Sequence, residues 1–194
     1  MKFSNEQQVR IGVFGSAFQW FNEHEKISYL IGEEIAKLNC VLVTGATTGL
    51  PYHAGKGALK AGGFVLGISP ALNPKEHTEK YNKPLDGCSV IIWTGSGYTG
   101  RNYLNVRNCD AAVFIGGETG TLEEFCIADY EGKVIGVLEG SGGVADKIKN
   151  IMKDCSTDHG TIIEYDKDPK SLINKIVSRL KERGAKHSNL TNQI

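Results

Sequence analysis

Short runs of apolar, mostly β-branched residues recur along the whole chain and restrict its fold more than any other feature. Most of these runs are continuously apolar instead of alternating, which is typical of strands that are covered on both faces. Segments with helical spacing separate them, and in Glu25–Leu38 the apolar residues recur at steps of three and four. There are seven such runs: Val9–Phe14, Cys40–Thr44, Phe64–Ile68, Val90–Thr94, Ala111–Ile115, Val134–Leu138 and Thr161–Tyr165.

This alternation of strands and helices predicts an α/β protein with a Rossmann-like, three-layer fold. We expect a mostly parallel sheet of about seven strands, with right-handed crossovers that place helices on both faces. No linker or shift in composition divides the chain of 194 residues. The sequence therefore predicts a single nucleotide-binding domain over residues 1–184, followed by a flexible polar tail over residues 185–194.

Composition narrows the partners and the compartment. Twenty-two Lys and Arg residues balance twenty-two Asp and Glu residues, and no basic stripe marks a nucleic-acid-binding surface. The five cysteines are widely spaced and form no Cys/His ligand pattern, so we expect buried free thiols in a reducing cytosol, with no metal and no resident cofactor. No signal peptide or membrane span is evident, which predicts a cytoplasmic protein with no membrane partner.

Ligands of open parallel sheets bind beyond the carboxyl ends of the strands, so the loops that follow the strands are the places to search. The strongest candidate follows Ala111–Ile115 and contains Gly116, Gly117 and Gly120. A Gly-rich turn that enters a helix presents free N–H groups and the positive end of the helix dipole, a combination that binds phosphate. Thr121 adds a hydroxyl donor. Alternatively, Thr121-x-x-Glu124 is a capping box that only satisfies the end of its own helix.

Three other loops carry candidate ligand-binding residues, and a fourth segment is expected to lie near the site. The loop at Thr94–Asn102 places Arg101 beside three glycines, and a guanidinium suits phosphate, although a salt bridge to a nearby carboxylate explains it equally well. Asn73–Pro84, rich in Lys, Glu and Pro, is predicted to be a mobile loop near the site, in which His77 has no evident partner. The remaining loops, which also suit plain strand–turn–helix connections, contribute the candidates Gly15, Ser16, Gly45, Thr47 and Gly49.

In their order and spacing, several of these motifs resemble the Lonely-Guy superfamily, whose proteins are often labelled "possible lysine decarboxylase". The resemblance extends over roughly Ile11 to Gly143. It is carried by Gly49-Leu50, by the Ala-Gly-Gly-x-Val-x-Gly-Ile-x-Pro run at Ala61–Pro70, by Arg101-Asn102, and by Cys109–Ala111 leading into Gly-Gly…Gly-Thr-Leu-Glu-Glu.

The resemblance implies a nucleotide site and a reaction. Family members with an assigned activity hydrolyse the N-glycosidic bond of nucleoside 5′-monophosphates, releasing a base and ribose 5-phosphate, and they are commonly homodimers. On this basis Glu124 and Arg101 are the expected catalytic residues. The expected phosphate- and nucleotide-binding residues around them are Gly116, Gly117, Thr119, Gly120, Thr121 and Asn102.

Three departures from the family pattern point to a divergent branch. Ile115 replaces the usual Pro before the double Gly. Glu118 and Thr119 separate Gly-Gly from Gly-Thr, where the hydrolases have one residue, and Asn102 follows the Arg, where they have Lys.

Related branches carry or sense molybdenum cofactor or signalling nucleotides. A phosphoribohydrolase, a carrier or sensor, and an interaction protein without a site therefore remain as hypotheses. A pyridoxal-dependent lysine decarboxylase is not supported, because no Schiff-base lysine is marked.

Overall fold

The computed structural model describes residues 8–18, 22–155 and 157–191, with side chains for 8–18, 23–155 and 157–184. The predicted Rossmann-like α/β fold is confirmed, and all seven predicted strands are present within one residue of their expected ends. The strands are β1 (Arg10–Gly15), β2 (Val41–Thr44), β3 (Val65–Ser69), β4 (Val90–Trp93), β5 (Ala111–Ile115), β6 (Val134–Leu138) and β7 (Ile162–Asp166).

In the described part of the chain, seven α-helices alternate with these strands, and a short 3₁₀ turn at Ala145–Lys147 leads into the sixth. None of the described helices is long and apolar enough to cross a membrane. The helices are α1 (Asn22–Lys37), α2 (Leu50–Lys60), α3 (Pro74–Glu79), α4 (Gly97–Arg107), α5 (Thr119–Tyr130), α6 (Ile148–Cys155) and α7 (Pro169–Thr191).

The strands form one sheet in the order β4-β3-β2-β1-β5-β6-β7, and every neighbouring pair is parallel. The chain first builds outward from β1 to β4 and then returns to the other side of β1 to add β5. The order therefore reverses between β1 and β5, where Gly15 pairs with Ile115. Loops that leave adjacent strands toward opposite sides open a crevice at such a switch point.

Two apolar cores, one on each face of the sheet, make the fold three layers thick. On one face α1, α2 and α7 cover β1, β2 and β5, through residues such as Ile31, Leu50 and Ile173. On the other face α4, α5 and α6 pack on Phe14 and Phe114. Strand residues point alternately to the two faces, so both cores draw on the same strands, as the continuously apolar runs predicted.

The helices α1 and α2 approach each other more closely than side chains at the crossing would allow. A Cβ at Gly32 would lie 1.8 Å from the Ala54 carbonyl oxygen, and one at Gly57 would lie 2.0 Å from the Tyr29 carbonyl oxygen. Only glycine fits where two backbones meet at this distance. This contact holds the start of α2, and with it the loop after β2, close to the end of β1.

Three local expectations differ from the structure. The predicted mobile loop contains α3, because Asn73 caps the helix by accepting a hydrogen bond from the Glu76 N–H. The cysteines are not all buried: Cys126 and Cys155 are exposed, and all five are free thiols. Finally, α7 continues through residues 185–191 of the expected tail, and residues 192–194 lie outside the described part of the chain.

Candidate functional site

A pocket of about 480 Å³ opens at the carboxyl ends of β1, β2 and β5, beside the switch point of the sheet. The residues predicted from the β1 and β2 loops fall into two groups there. Gly15, Gly45 and Thr47 line the pocket, whereas Ser16 and Gly49 lie just behind its wall. Gly49 has a φ of 70°, and the Leu50 N–H that follows it donates to the Ser16 carbonyl oxygen at 2.9 Å. These two residues therefore join the β1 and β2 loops.

The Gly-rich turn after β5 forms the opposite wall. Thr119, Gly120 and Thr121 line the pocket, while Gly116 and Gly117 lie beneath them with φ angles of 57° and 91°. A Cβ at Gly117 would lie 2.3 Å from the Thr121 hydroxyl, so this position requires glycine.

Contacts from the segment after β6 support this turn from behind. Ala145 and Val144 donate their N–H groups to the Gly116 and Gly117 carbonyl oxygens at 3.0 and 2.8 Å, and Ser141 Oγ accepts from the Gly116 N–H at 2.9 Å. These contacts hold the turn in place, and the amino end of α5 borders the pocket, where its dipole favours an anion.

Glu124 and Arg101, predicted as a catalytic pair from different loops, are brought together. Arg101 Nη1 lies 3.7 Å from Glu124 Oε1, and each side chain is only 8% exposed. Asn105, one turn after Arg101 on α4, donates its side-chain N–H to the same Glu124 oxygen at 3.1 Å. The carboxylate therefore faces α4 and the pocket, between a cation and an amide.

The capping-box alternative is not realised. The helix α5 begins at Thr119 with Glu118 as its N-cap residue, which places Thr121 inside the first turn instead of at the cap. Glu124 contacts α4 as described, and the side chain of the N-cap residue forms no capping hydrogen bond with the helix. A buried carboxylate that does not serve its own helix end is free to face a ligand.

Burial dominates the electrostatics of this pair. It raises the pKa of Glu124 to about 7, although the charge of Arg101 and the Asn105 hydrogen bond act in the opposite direction. Burial also lowers the pKa of Arg101, against the opposing effect of Glu124, but a guanidinium stays protonated near neutral pH. Glu124 is thus able to exchange a proton at neutral pH while Arg101 keeps its charge.

The loop after β2 positions Arg101. A Cβ at Gly45 would lie 1.7 Å from Arg101 Nη1, so the guanidinium rests directly on the Gly45 backbone. Tyr98, half-exposed at the mouth of the pocket, has its ring centroid 5.7 Å from the guanidinium carbon, within the range of a cation–π contact. Arg101 Nε is buried and has no hydrogen-bond partner among the described residues.

Three of the residues that depart from the family pattern, Asn102, Glu118 and Thr119, also border the pocket. Ser16 donates its hydroxyl to the exposed Glu118 at 2.9 Å, which ties the extended turn after β5 to the loop after β1. Asn102 donates its amide to Glu123 at 2.8 Å and lines the pocket beside it. Among the described residues, each of these carboxylates accepts a side-chain hydrogen bond from one neutral donor, so each keeps acceptor capacity for a ligand.

Sequence reasoning missed Asn105 and Lys83. Asn105 follows Arg101 by four residues, a spacing that places both on one face of α4 and could have identified it. Lys83 lines the pocket from the segment after α3, and no motif marks it. His77 in that segment is buried, not partnerless: its Nδ1 lies 2.8 Å from Ser69 Oγ and its Nε2 lies 3.1 Å from the Pro84 carbonyl oxygen.

Among the described residues, no group of three or more His, Cys, Asp and Glu side chains is arranged to hold a metal ion. The site consists instead of a Gly-rich turn at a helix start, a buried Arg–Glu pair and an aromatic rim. A parallel sheet with such a pocket at its switch point defines a Rossmann-like protein.

Residues 8–173 match the family model described as the SLOG cluster4 family, and the chain belongs to that family. The resemblance to the Lonely-Guy superfamily is thereby confirmed.

Individual relatives agree with this assignment. An uncharacterized protein of Archaeoglobus fulgidus is 34% identical over 131 residues, which are 68% of this chain and 80% of the relative. The solved structure of TM1055 is similar with a TM-score of 0.77 and 25% identity, over 89% of this chain and 99% of the other. The molybdenum cofactor binding protein of the phototrophic bacterium Rippkaea orientalis is similar with a TM-score of 0.71 and 28% identity, over 90% of this chain and 98% of that one.

Proposed function

We propose that this protein binds a phosphate-bearing nucleotide or pterin-type cofactor in the pocket at the switch point and retains it, as a carrier or sensor does. The observation that carries the proposal is the convergence of the α5 start and buried Arg101 on one pocket. Free N–H groups at a helix start and a guanidinium both recognise phosphate. In this arrangement the Gly116–Thr121 turn binds a phosphate, and Arg101 offers the pocket a positively charged contact for an anionic group of the ligand.

The rest of the pocket suits a planar heterocycle. Phe18 and Tyr98 line its mouth and are 73% and 51% exposed, and aromatic rings at such positions stack on bases. Glu118 and Glu123 line it as well. A carboxylate accepts hydrogen bonds from the N–H groups of an amino-pyrimidine ring, an edge that guanine and pterin share.

Retention of the ligand is supported by the extended turn and by the Rippkaea orientalis protein, which is described as binding molybdenum cofactor. The hydrogen bond from Ser16 to Glu118 places a carboxylate at the rim of the phosphate turn, where the hydrolases have a shorter loop. A molybdopterin-type cofactor carries both a phosphate and a pterin ring, and so matches the two halves of the pocket. It is the cargo in this proposal, and no reaction of the protein depends on it.

Mass spectrometry of the purified protein tests retention. A carrier is expected to co-purify with a phosphorylated heterocycle that is recovered intact after long incubation. Arg101→Met should lose this ligand, whereas Lys75→Met, an exposed Lys outside the pocket, should keep it. A wild-type protein that shows no thermal shift with nucleoside monophosphates, and that carries no phosphorylated compound, would reject the proposal.

A second candidate function is hydrolysis of a nucleoside 5′-monophosphate, and the buried Glu124 beside Arg101 favours it. In this reaction water adds to the anomeric carbon, the C–N bond breaks, and the proton that Glu124 takes from water replaces the ribosyl group on the base. A carboxylate with a pKa near 7 can accept and release that proton, and it also stabilises the oxocarbenium-like transition state. Arg101 orients the phosphate or the leaving base.

Incubation with a panel of nucleoside monophosphates separates the two candidates. Release of free base and ribose 5-phosphate supports hydrolysis, and Glu124→Gln should then abolish turnover while ligand binding persists. Full turnover by Glu124→Gln would remove that residue from the mechanism. A protein that binds a monophosphate and returns it intact acts as a carrier or sensor.

Three further expectations belong to this proposal. Five free thiols suit a reducing cytosol, and the balanced charge offers no general surface for nucleic acid.

The edge strand β4 leaves Val90 and Ile92 exposed, and α4 leaves Tyr103 and Leu104 exposed, which supports a homodimer through this side. Sedimentation of the wild-type protein and of an Ile92→Glu variant tests the dimer: the wild type is expected to sediment as a dimer and the variant as a monomer.

A further inference from the structure

A second group of anion-binding donors lies across the pocket from the Gly-rich turn. Four consecutive residues after β2 join two cations: the Gly45 backbone supports the Arg101 guanidinium, and the Thr48 hydroxyl accepts a hydrogen bond from Lys83 Nζ at 3.1 Å. Thr47 lies between these two contact points. Arg101, Lys83 and Thr47 all line the pocket.

Lys83, which is half-buried, differs from the buried Arg101 because no carboxylate of the described residues neutralises it. Arg101 lies opposite Glu124, whereas the described residues provide Lys83 only with the neutral Thr48 hydroxyl. Burial and the nearby positive charge of Arg101 lower the pKa of Lys83. Two positive charges that face one pocket, one of them without a counter-ion, attract an anion.

Two buried donors on the same side have no hydrogen-bond partner in the part of the chain that the structure describes. Thr47 is 8% exposed, and its hydroxyl forms no hydrogen bond with the described residues; the same is true of Arg101 Nε. Leaving a buried polar group unpaired costs about 1–3 kcal/mol, so native structures rarely retain several in one place without a ligand or water. Hydroxyl, guanidinium and ammonium groups are together the donor set of a phosphate or carboxylate site.

The Thr47 and Lys83 end of this group lies apart from the α5 start. Thr47 lies in the loop after β2, to which Lys83 is hydrogen-bonded through Thr48, whereas the Gly-rich turn follows β5, and β1 separates these two strands in the sheet. Two spacings between neighbouring strands put the starts of the loops after β2 and β5 about 10 Å apart. The adjacent phosphoryl groups of a diphosphate are too close together to reach both the α5 start and the Thr47 and Lys83 side of the pocket. Two anionic groups on opposite sides of a sugar ring are farther apart and can reach both.

We propose that Lys83, Thr47 and the Arg101 guanidinium form a second anion subsite, so that the ligand carries two anionic groups separated by a sugar ring. The inference rests on the proposed function, which places a first phosphate at the Gly116–Thr121 turn. It defines the ligand class more narrowly, as a doubly anionic nucleotide of the bisphosphate type. In such a complex Lys83 contributes to affinity only when the second anionic group is present.

Calorimetric titration with three probes tests the subsite: a nucleoside 5′-monophosphate, the matching 5′-diphosphate and the matching 3′,5′-bisphosphate. The wild type is expected to bind the bisphosphate at least tenfold more tightly than the other two. Lys83→Met should weaken bisphosphate binding by tenfold or more, as expected for the loss of a charge-assisted hydrogen bond, and should leave monophosphate binding unchanged. Thr47→Val should act in the same direction, and Lys75→Met serves as the matched control.

The failures of the two proposals are distinguishable. If no probe binds, the proposed function fails. If the monophosphate binds as tightly as the bisphosphate, or if Lys83→Met weakens both equally, the second subsite is rejected while the proposed function stands. Tighter binding of the diphosphate than of the bisphosphate would reject the separation of the two groups. A circular dichroism spectrum and melting temperature close to those of the wild type show that the variants are folded.

Discussion

At the scale of single residues, Glu124 makes the stability of the protein depend on pH. Its pKa is raised from about 4.5 to about 7 by burial, so the folded state holds this proton more tightly than the unfolded state. The resulting stabilisation is fully present below about pH 4.5 and is lost as the pH rises through about 7. This difference in the pKa of Glu124 between the folded and unfolded states corresponds to roughly 3 kcal/mol in the free energy of unfolding.

Glu124→Gln should therefore become more stable relative to the wild type as the pH rises, because the amide cannot ionise. Denaturant unfolding of both proteins at pH 5 and pH 8.5 measures the difference, and most of the roughly 3 kcal/mol should appear between these values. Glu79→Gln, on the exposed end of α3, controls for the loss of one negative charge. A difference between wild type and Glu124→Gln that stays constant with pH would contradict the raised pKa.

Gly45 provides a second test at this scale, because its missing side chain makes room for Arg101. In Gly45→Ala the new Cβ would lie 1.7 Å from Arg101 Nη1, the far end of a long side chain, so the guanidinium moves and the backbone stays. We expect phosphorylated ligands to bind about tenfold more weakly, consistent with the loss of one charge-assisted hydrogen bond. Gly184→Ala, where a Cβ meets no neighbour, is the control, and unchanged affinity in Gly45→Ala would exclude Arg101 as a ligand contact.

At the scale of elements, the crossing of α1 and α2 determines where the loop after β2 lies. In Gly32→Ala the Cβ would meet the Ala54 carbonyl oxygen at 1.8 Å, and neither backbone can yield without separating the helices. We expect a loss of about 1–3 kcal/mol in the free energy of unfolding, measured with denaturant. Gly184→Ala in α7 meets no neighbour and should keep or slightly raise the free energy of unfolding, so an equal loss in both variants would show that the effect does not come from the crossing.

The segment that contains α3 is anchored by His77 and supplies Lys83 to the pocket. Burial lowers the pKa of His77 below 6.5, so the neutral ring stabilises the fold above that pH and the stabilisation is lost as the pH falls through the folded-state pKa. His77→Gln, which does not titrate, should gain stability relative to the wild type below about pH 6.5. Thermal melts at pH 5 and pH 8 measure this. If the difference between the two proteins is the same at both pH values, His77 is not buried as a neutral ring.

At the scale of the whole molecule, the two apolar cores share the strands of one sheet, which supports a single domain. Opening one face removes the packing that supports the other, so we expect one cooperative unfolding transition. Far-ultraviolet circular dichroism and tryptophan fluorescence should give the same midpoint in denaturant. Saturation with a bound nucleotide at a hundred times its Kd should raise the stability by about 2.7 kcal/mol without splitting the transition. Two separate transitions would indicate two independently folding units.

Most of the fold was predictable from local patterns along the chain. The continuously apolar runs identified every strand of the described residues, and the Gly-rich turn after Ala111–Ile115 identified the start of α5. Both follow from the types of neighbouring residues, on which the alternation of strands and helices depends. The segment Asn73–Pro84 was expected to be a loop, because its polar composition hides the capped helix α3 and the buried His77. Composition reports average polarity, whereas the order of this segment depends on hydrogen bonds to Ser69 and Pro84.

The candidate site, like the fold, was predictable from the sequence only in part. The sequence by itself determined the family, the Gly-rich turn and the candidates Glu124 and Arg101, because these depend on residue types at fixed spacing. Only the tertiary structure decided that Glu124 faces α4 instead of capping its own helix, and that Lys83 reaches the pocket from a segment without a motif. Burial, and with it the raised pKa of Glu124, also depends on what packs around a residue. Residues far apart in the chain converge there only because the sheet reverses its order between β1 and β5.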